Sequence, residues 1–200
     1  MSEERFSESD LAPSKEEKQA ALADRLDRVA ASAAVLAVGV AVGGMIALGA
    51  CAAPFVFTLT PAPVNGDAMG SAFARFDRIA IACAAILLGA EVTRTYLARR
   101  SPRAFPGRAR RVFAVLFAAC IAYMGLAVTP AINGLHRAGV TRGEGADGET
   151  LDTIHKRAEL LGKAEVAIGA LLIVLHVFTV RRGDEEEDEY RAPLPPGPVG

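Results

Sequence analysis

The sequence predicts an all-α fold, a four-helix transmembrane bundle that can also be described as two parallel helical hairpins, with disordered tails. Apolar residues are gathered into four blocks, and most of the 22 basic and 23 acidic residues lie between them. Each block approaches the roughly 17–25 residues that a helix needs to cross a hydrocarbon core. In lipid, only helices and closed barrels satisfy their own backbone hydrogen bonds. The predicted organisation is an N-terminal segment (1–28), a membrane domain (29–180) with spans at about 29–59, 77–98, 111–130 and 160–180, and a C-terminal tail (181–200).

The N-terminal segment is predicted to be a cytoplasmic amphipathic helix that leads into the first span. Ser14 and Glu17 follow Pro13 in the S-x-x-E pattern of a capping box, in which each side chain bonds the backbone N–H of the other residue. The tail at the other end of the chain has an acidic run followed by a Pro-rich stretch. That composition is typical of disordered chain.

The first apolar block ends in a sequence that resembles a cleavage site, because Leu48-Gly49-Ala50-Cys51 is similar to a lipoprotein box. A secretory signal has a short basic leader and an apolar stretch of about 7–15 residues. Here the leader has 28 residues, eight of them acidic, and the apolar run continues past the site. We therefore expect an uncleaved span in which Cys51 carries no lipid.

A Gly-x4-Pro sequence occurs near the outer end of the first span, at Gly49 and Pro54, and again in the third span, at Gly125 and Pro130. One interpretation is that each proline stands where its helix ends, where it costs little. The other is that both prolines turn the chain back into an outward-facing cavity. The repetition fits two duplicated hairpins, since internal repeats are common in membrane folds, but so few shared positions can also arise by chance.

The distribution of arginine predicts the orientation. The connection "ARRSPRAFPGRARR" (98–111) carries six arginines, whereas the connection between the first two spans carries two. Lys and Arg mark cytoplasmic loops, and acidic residues contribute little to orientation. The sequence therefore predicts a multi-pass protein of the bacterial inner membrane, with the arginine-rich connection and both termini in the cytoplasm.

Four short motifs lie at the ends of the predicted spans: Ala53-Pro54-Phe55-Val56-Phe57, Phe73 with Arg75-Phe76, Thr129-Pro130-Ala131-Ile132-Asn133, and Ile154-His155. On these motifs the chain resembles the transmembrane-protein-205-like family of uncharacterised four-helix integral membrane proteins, over roughly residues 35–178. The resemblance implies the four-span fold and its topology, and it brings no established activity. In that family a Ser follows three residues after the His. Here the position is Ala158, so no His–Ser pair is expected to act.

Three ionisable residues fall within the apolar blocks near the predicted cytoplasmic end: Glu91, Arg94 and His176. Such residues are costly in lipid and are functional candidates by default. Glu91 and Arg94 are spaced for an ion pair along one helix. Glu91 can alternatively meet His176 across the bundle.

A second set of candidates lies near the predicted outer surface, where Asp77 and Glu165 are also expected. We expect this outer corner to matter more than the inner pair. Its candidate residues are Pro54, Arg78, Pro130, Asn133 and His155. Only His136 and His155 can share a metal, because His155 and His176 are about 31 Å apart along one helix.

Two function classes follow. The first is a non-enzymatic membrane protein that supports transport or stress tolerance through an outward-facing polar pocket, with no cofactor. The alternative is a haem- or copper-handling membrane protein that uses His136 and His155 as ligands. The sequence does not predict an enzyme, since it has no nucleophile–base arrangement, phosphate loop or C-x-x-C metal motif.

Expected partners are the lipid bilayer and a second copy or another membrane protein, through Gly39-x-x-x-Gly43. Nucleic acid is not expected.

Overall fold

The computed structural model describes residues 14–61, 64–97 and 105–191, and every regular element within these ranges is helical. The predicted all-α fold with four long helices is confirmed. Two of these helices contain a short π-helical segment. The elements are α1 (Lys15–Ile46), the first π-helical segment (Ala47–Ala52), α2 (Ala53–Leu59), α3 (Val64–Leu97), α4 (Phe105–Tyr123), the second π-helical segment (Met124–Val128), α5 (Thr129–Arg137) and α6 (Gly145–Arg191).

The helices form an antiparallel bundle. Helix α1 packs against α3 and α6, and α4 packs against the same two helices. Helices α1 and α4 are therefore diagonal to each other, as are α3 and α6. We call one end of the bundle the proline end, because Pro54, Pro130 and the connection from α5 to α6 lie there. The opposite end, where α1 begins and α6 ends, is called the termini end.

Small side chains dominate the bundle core. Ala34 and Ala114 are fully buried, beside larger residues such as Leu87 and Phe117. Short side chains let helix backbones approach closely, which is a feature of packing between membrane helices. Gly44 of α1 leaves room for the ring of Phe76 on α3, which an added Cβ would overlap.

Large apolar side chains cover much of the outer surface, and Leu36 and Leu126 are 70% and 73% exposed. Extensive apolar exposure marks a surface that meets lipid or another protein. Within the described residues, three helical stretches are long and apolar enough to cross a membrane: Glu17–Leu59, Gly107–Arg137 and Gly145–Thr179. Helix α3 is not among them, and its apolar stretch contains Glu91 and Arg94, both buried inside the bundle. The chain is thus compatible with an integral membrane protein.

Each Gly-x4-Pro sequence coincides with a π-helical segment. Gly49 lies in the first segment and Gly125 in the second, and Pro54 and Pro130 follow within two residues of the segment ends. A proline supplies no N–H and its ring clashes with the carbonyl four residues earlier. A wider π-helical turn relieves that clash. Neither proline ends its helix, since α2 continues to Leu59 and α5 to Arg137.

The predicted capping box is present at the start of α1. The Glu17 N–H donates to the Ser14 hydroxyl at 3.1 Å, and the Ser14 N–H donates to the Glu17 carboxylate at 2.6 Å. At the other end of the chain α6 extends to Arg191, into the range of the predicted tail. Residues 1–13, part of the arginine-rich connection (98–104) and the last tail residues (192–200) lie outside the described residues.

Candidate functional site

Within the described residues, polar side chains form clusters in or against the bundle. The first, at the termini end, is the charged network of Asp27, Glu91, Arg94, Arg110 and His176. The second, at the proline end, is the histidine pair of His136 and His155. The third, also at the proline end, is the arginine groove, lined by Asp67, Ser71, Ala74, Arg75, Arg78, Asn133 and Arg137.

The charged network joins all four long helices: two cross-helix ion pairs link α1, α3 and α4, and His176 adds α6. Arg94 on α3 donates from Nε and Nη2 to the two carboxylate oxygens of Asp27 on α1, each at 3.0 Å. Arg110 on α4 donates from Nε to Glu91 Oε1 on α3 at 2.7 Å. Glu91 is 5% exposed, and Arg94 and Arg110 are equally buried. Both acids of the network therefore have a guanidinium partner, and for the buried Glu91 that partner offsets the large cost of removing a charge from water.

His176 of α6 lies between these two pairs and is fully buried. Its Nδ1 atom is 3.1 Å from Arg94 Nη1, and its Nε2 atom is 3.4 Å from Glu91 Oε1. An arginine can only donate hydrogen bonds, so Nδ1 is the acceptor. The imidazole is consequently neutral and carries its proton on Nε2, on the side of Glu91.

The network differs from the ion pair predicted along α3. Glu91 pairs with Arg110 and Arg94 with Asp27, and no Glu91–Arg94 ion pair within 4 Å occurs among the described residues. Each side chain instead has a partner on a neighbouring helix, and Arg94 makes two hydrogen bonds to the Asp27 carboxylate. The structure does bring Glu91 and His176 together across the bundle.

The histidine pair bridges α5 and α6. The two Nε2 atoms are 3.4 Å apart, and the rings meet edge to face with centroids 5.6 Å apart. Gly66 of α3 lies beside the pair, and a Cβ added there would approach His136 Nδ1 to 3.3 Å. The two histidines are therefore neighbours, as the binding of one metal ion by both would require. Within the described residues no group of three or more His, Cys, Asp or Glu side chains is placed to hold a metal ion.

The arginine groove runs between α3 and α5 and has a volume of about 260 Å³. Arg75 and Arg78 come from α3, and Arg137 comes from α5. Among the described residues no carboxylate lies within 4 Å of these three guanidinium groups. Asp67 is the one acid among the lining residues that the structure describes. The groove is therefore cationic.

The outer-corner candidates fall into two groups. Arg78 and Asn133 line the groove, and the Asn133 amide also donates to the Gly70 carbonyl at 3.3 Å. Pro54 and Pro130 are exposed and do not line it. The prolines thus shape the π-helical segments instead of forming the walls of the groove, and His155 belongs to the histidine pair.

Several residues of these clusters were not singled out by sequence reasoning. Asp27 lies in a leader with many other acids, and Arg110 is one of six arginines that serve to predict orientation. No sequence signal distinguishes either from the other charged residues near it. Asp77 and Glu165 were expected near the outer surface, yet both are buried. A signal existed for Glu165, because it is the only acid in the apolar block from Ala164 to Val180.

Comparison with known proteins gives one match. No curated protein and no solved structure is similar to the chain. The family described as a domain of unknown function (DUF4149) matches residues 36–141, just over half of the 200 residues. This range contains the arginine groove, His136 and the α3–α4 part of the charged network, and it ends before α6. The match names no transmembrane-protein-205-like family. The chain belongs to the DUF4149 family.

Proposed function

We propose that the chain is a non-enzymatic, multi-pass integral membrane protein that recognises an anionic group in the arginine groove, in support of transport or stress tolerance. The observation that carries the proposal is the convergence of Arg75, Arg78 and Arg137 on one groove. Under this proposal both termini are cytoplasmic, the bacterial inner membrane is the location, and the groove faces outward. The relationship to transmembrane-protein-205-like proteins is part of the same proposal.

The four-span arrangement is supported by the position of the charged side chains of α3. Asp77, Glu91 and Arg94 are buried in the bundle and do not face its outer surface. Ionisable residues in membrane helices usually face the bundle interior and pair there. Helix α3 can thus cross the membrane with the other three helices although it is the most charged of the four in its apolar part.

The chemistry of the groove favours phosphate or carboxylate. A guanidinium group presents a planar fork of donors that binds such anions in a bidentate manner. The Asn133 side chain and the Ser71 hydroxyl add neutral hydrogen-bonding groups to the lining. The volume of about 260 Å³ is slightly below that of typical small-molecule sites, which are roughly 300–1,000 Å³. A free phosphate and the phosphate of a lipid headgroup share the chemistry that fits this space.

The test compares the double variant Arg75→Gln/Arg78→Gln with Arg157→Gln, an exposed arginine of α6 near the same end. Thermal unfolding of the full chain in detergent is followed by circular dichroism in sodium phosphate and in sodium chloride of equal ionic strength. We expect phosphate to raise the Tm of the wild type and of Arg157→Gln, and not that of the double variant. Equal Tm values in both salts for the wild type would exclude free phosphate as the ligand.

A second arm distinguishes the lipid source. The same proteins are transferred to nanodiscs of phosphatidylglycerol or of phosphatidylcholine, and bound lipid is counted by native mass spectrometry after extraction. Retention of phosphatidylglycerol by the wild type and its loss in the double variant would assign the groove to a lipid headgroup. If neither phosphate nor lipid distinguishes the variants, the groove does not recognise anions.

The second candidate function, metal handling, is favoured by the geometry of the histidine pair. Two nitrogen–metal bonds of about 2.0–2.1 Å at a tetrahedral angle place the nitrogens roughly 3.3 Å apart, close to the 3.4 Å between the Nε2 atoms. Copper suits imidazole ligands, and the pair would supply two of them. Copper bound by the wild type and lost in His136→Ala and in His155→Ala would support this function. A Soret band in the purified protein would instead indicate haem.

A further inference from the structure

Asp77 on α3 and Glu165 on α6 form an acidic pair in the bundle interior, where they are 6% and 4% exposed. Asp77 Oδ2 and Glu165 Oε1 are fully buried and have no hydrogen-bond partner among the described residues. Within the same residues no Lys, Arg or His nitrogen lies within 4 Å of either carboxyl group. Phe76 and Ala80, which lie on either side of Asp77 in the sequence of α3, line the same small internal space as Glu165.

The surroundings of the acidic pair are almost entirely apolar. A small internal space beside Glu165 is walled by Met45 of α1, Phe76 and Ala80 of α3, and Phe117 and Ile121 of α4. Thr129 of α5 provides the neighbouring hydroxyl for Asp77, and the Cys120 thiol of α4 is the further titratable group that faces Glu165. Among the described residues, no Lys, Arg or His side chain of these helices pairs with either carboxyl group.

The charged network of the same bundle provides the contrast. There, each of the two acids is matched by an arginine within 3 Å. Asp77 and Glu165 are about as buried as Glu91 of that network, and neither has an arginine partner among the described residues. Two ionised carboxylates in an apolar site repel each other and also lose their hydration, and proteins generally resolve this by keeping one of them protonated.

We propose that Asp77 and Glu165 together form a proton-binding site that holds one exchangeable proton. The pair then consists of one carboxylic acid and one carboxylate, with the acid donating toward an oxygen that otherwise has no partner. Release of the proton leaves two carboxylates, and its return restores the acid, so no other reactant is needed.

The proton exchanges with the solution at the proline end. Leu87, Phe117 and Leu172 are fully buried and fill the bundle between the acidic pair and the charged network. On the other side of the pair, Thr129 directly follows the second π-helical segment, and Asn133 lies one helical turn beyond it at the groove. The polar groups that continue from the acidic pair therefore lead to the groove and not to the termini end.

Infrared difference spectroscopy of the full chain in nanodiscs tests the proposal. A buried carboxylic acid gives a carbonyl stretch that a carboxylate lacks, and this band shifts in deuterium oxide. We expect the wild type to show one such band near neutral pH and to lose it at alkaline pH. Glu165→Gln should remove the band, since the remaining Asp77 then lacks a like charge beside it and keeps the Thr129 hydroxyl, which favours the carboxylate. Asp77→Asn should retain the band and move its midpoint toward acidic pH, since Glu165 Oε1 has no hydrogen-bond partner to favour its carboxylate.

Glu159→Gln is the matched control, because Glu159 is an exposed acid on the same helix that pairs with Lys163. Its spectrum should equal that of the wild type. The wild-type titration needs no variant, so the proposal remains testable if a substituted protein fails to fold. A wild type without a buried-acid band near neutral pH would overturn the proposal. So would a band that disappears at constant pH on addition of sodium, potassium or calcium chloride, which would identify a metal cation site instead.

Discussion

At the residue scale, the burial of charge distinguishes this bundle from a simple apolar one. Glu91 and Arg110 form an ion pair that is almost completely removed from solvent. Such a pair is not a strong source of net stability, because desolvation offsets much of the attraction. Removing only one partner is costly, however, because it leaves the other charge buried without compensation.

Glu91→Gln is therefore expected to destabilise the protein by about 3–5 kcal/mol. The loss leaves the Arg110 guanidinium with only a neutral acceptor in place of the carboxylate. Thermal unfolding in detergent measures the effect, and Glu159→Gln serves as the control. The double variant Glu91→Gln/Arg110→Gln should be more stable than Glu91→Gln alone. If the double variant is less stable by the sum of the two single effects, the pair does not act as a unit.

At the element scale, the two π-helical segments are alike in sequence but not in packing. A Cβ added to Gly125 would lie 3.1 Å from Asp77 Cβ and 3.2 Å from Ile81 Cδ1, whereas one added to Gly49 meets nothing within 4 Å. The second segment thus packs closely against α3 at its glycine, whereas no described residue packs against the first segment at Gly49. Both Gly-x4-Pro sequences coincide with a π-helical turn. Only in the second segment does the glycine, Gly125, also allow close contact with α3.

Gly125→Ala is expected to destabilise the protein by about 1–3 kcal/mol through overpacking. Gly49→Ala, the equivalent change in the first segment, should be neutral or slightly stabilising, because alanine favours helix more than glycine does. Chemical or thermal unfolding of both variants side by side checks this. Equal destabilisation by the two changes would mean that the glycines serve the π-helical turn itself and not contact with α3.

The helices, the capping box and the apolar surface could all be predicted from the sequence, since each follows from local composition and spacing. The partners of buried charges could not. Arg94 pairs with Asp27, 67 residues away, and nothing local distinguishes Asp27 from Asp24 in the same helix. The groove was only partly predicted: Arg78 and Asn133 were identified, whereas Arg137 becomes relevant only because α5 continues past Pro130 and places it beside α3.

At the scale of the whole molecule, the proposed topology places residues 98–104 in the cytoplasm and the connection from α5 to α6 outside. Single cysteines at Ser101 and Glu144, introduced into a chain that lacks Cys51, Cys83 and Cys120, test it. An impermeant thiol reagent applied to intact cells should label the cysteine at 144 and spare the one at 101 until the cells are opened. Labelling of position 101 in intact cells would reverse the orientation.

The chain is also expected to stay whole at Cys51, which lies inside the first π-helical segment with helix on both sides. Intact mass spectrometry of detergent-extracted protein should give the mass of the full sequence, allowing for loss of Met1. A species that begins at Cys51 and carries added acyl mass would contradict this expectation and would remove α1 from the mature bundle.

The pairing of Asp27 with Arg94 has a practical consequence for anyone who trims the chain to its apolar part. Residues 1–28 look dispensable by hydropathy, and a shortened protein starting at Val29 would keep every apolar block. It would nevertheless lose the Asp27 carboxylate, which accepts hydrogen bonds from Arg94 Nε and Nη2. The N-terminal boundary of the folding unit therefore lies upstream of Asp27, near the capping box at Ser14, and fusion partners or affinity tags belong before that residue.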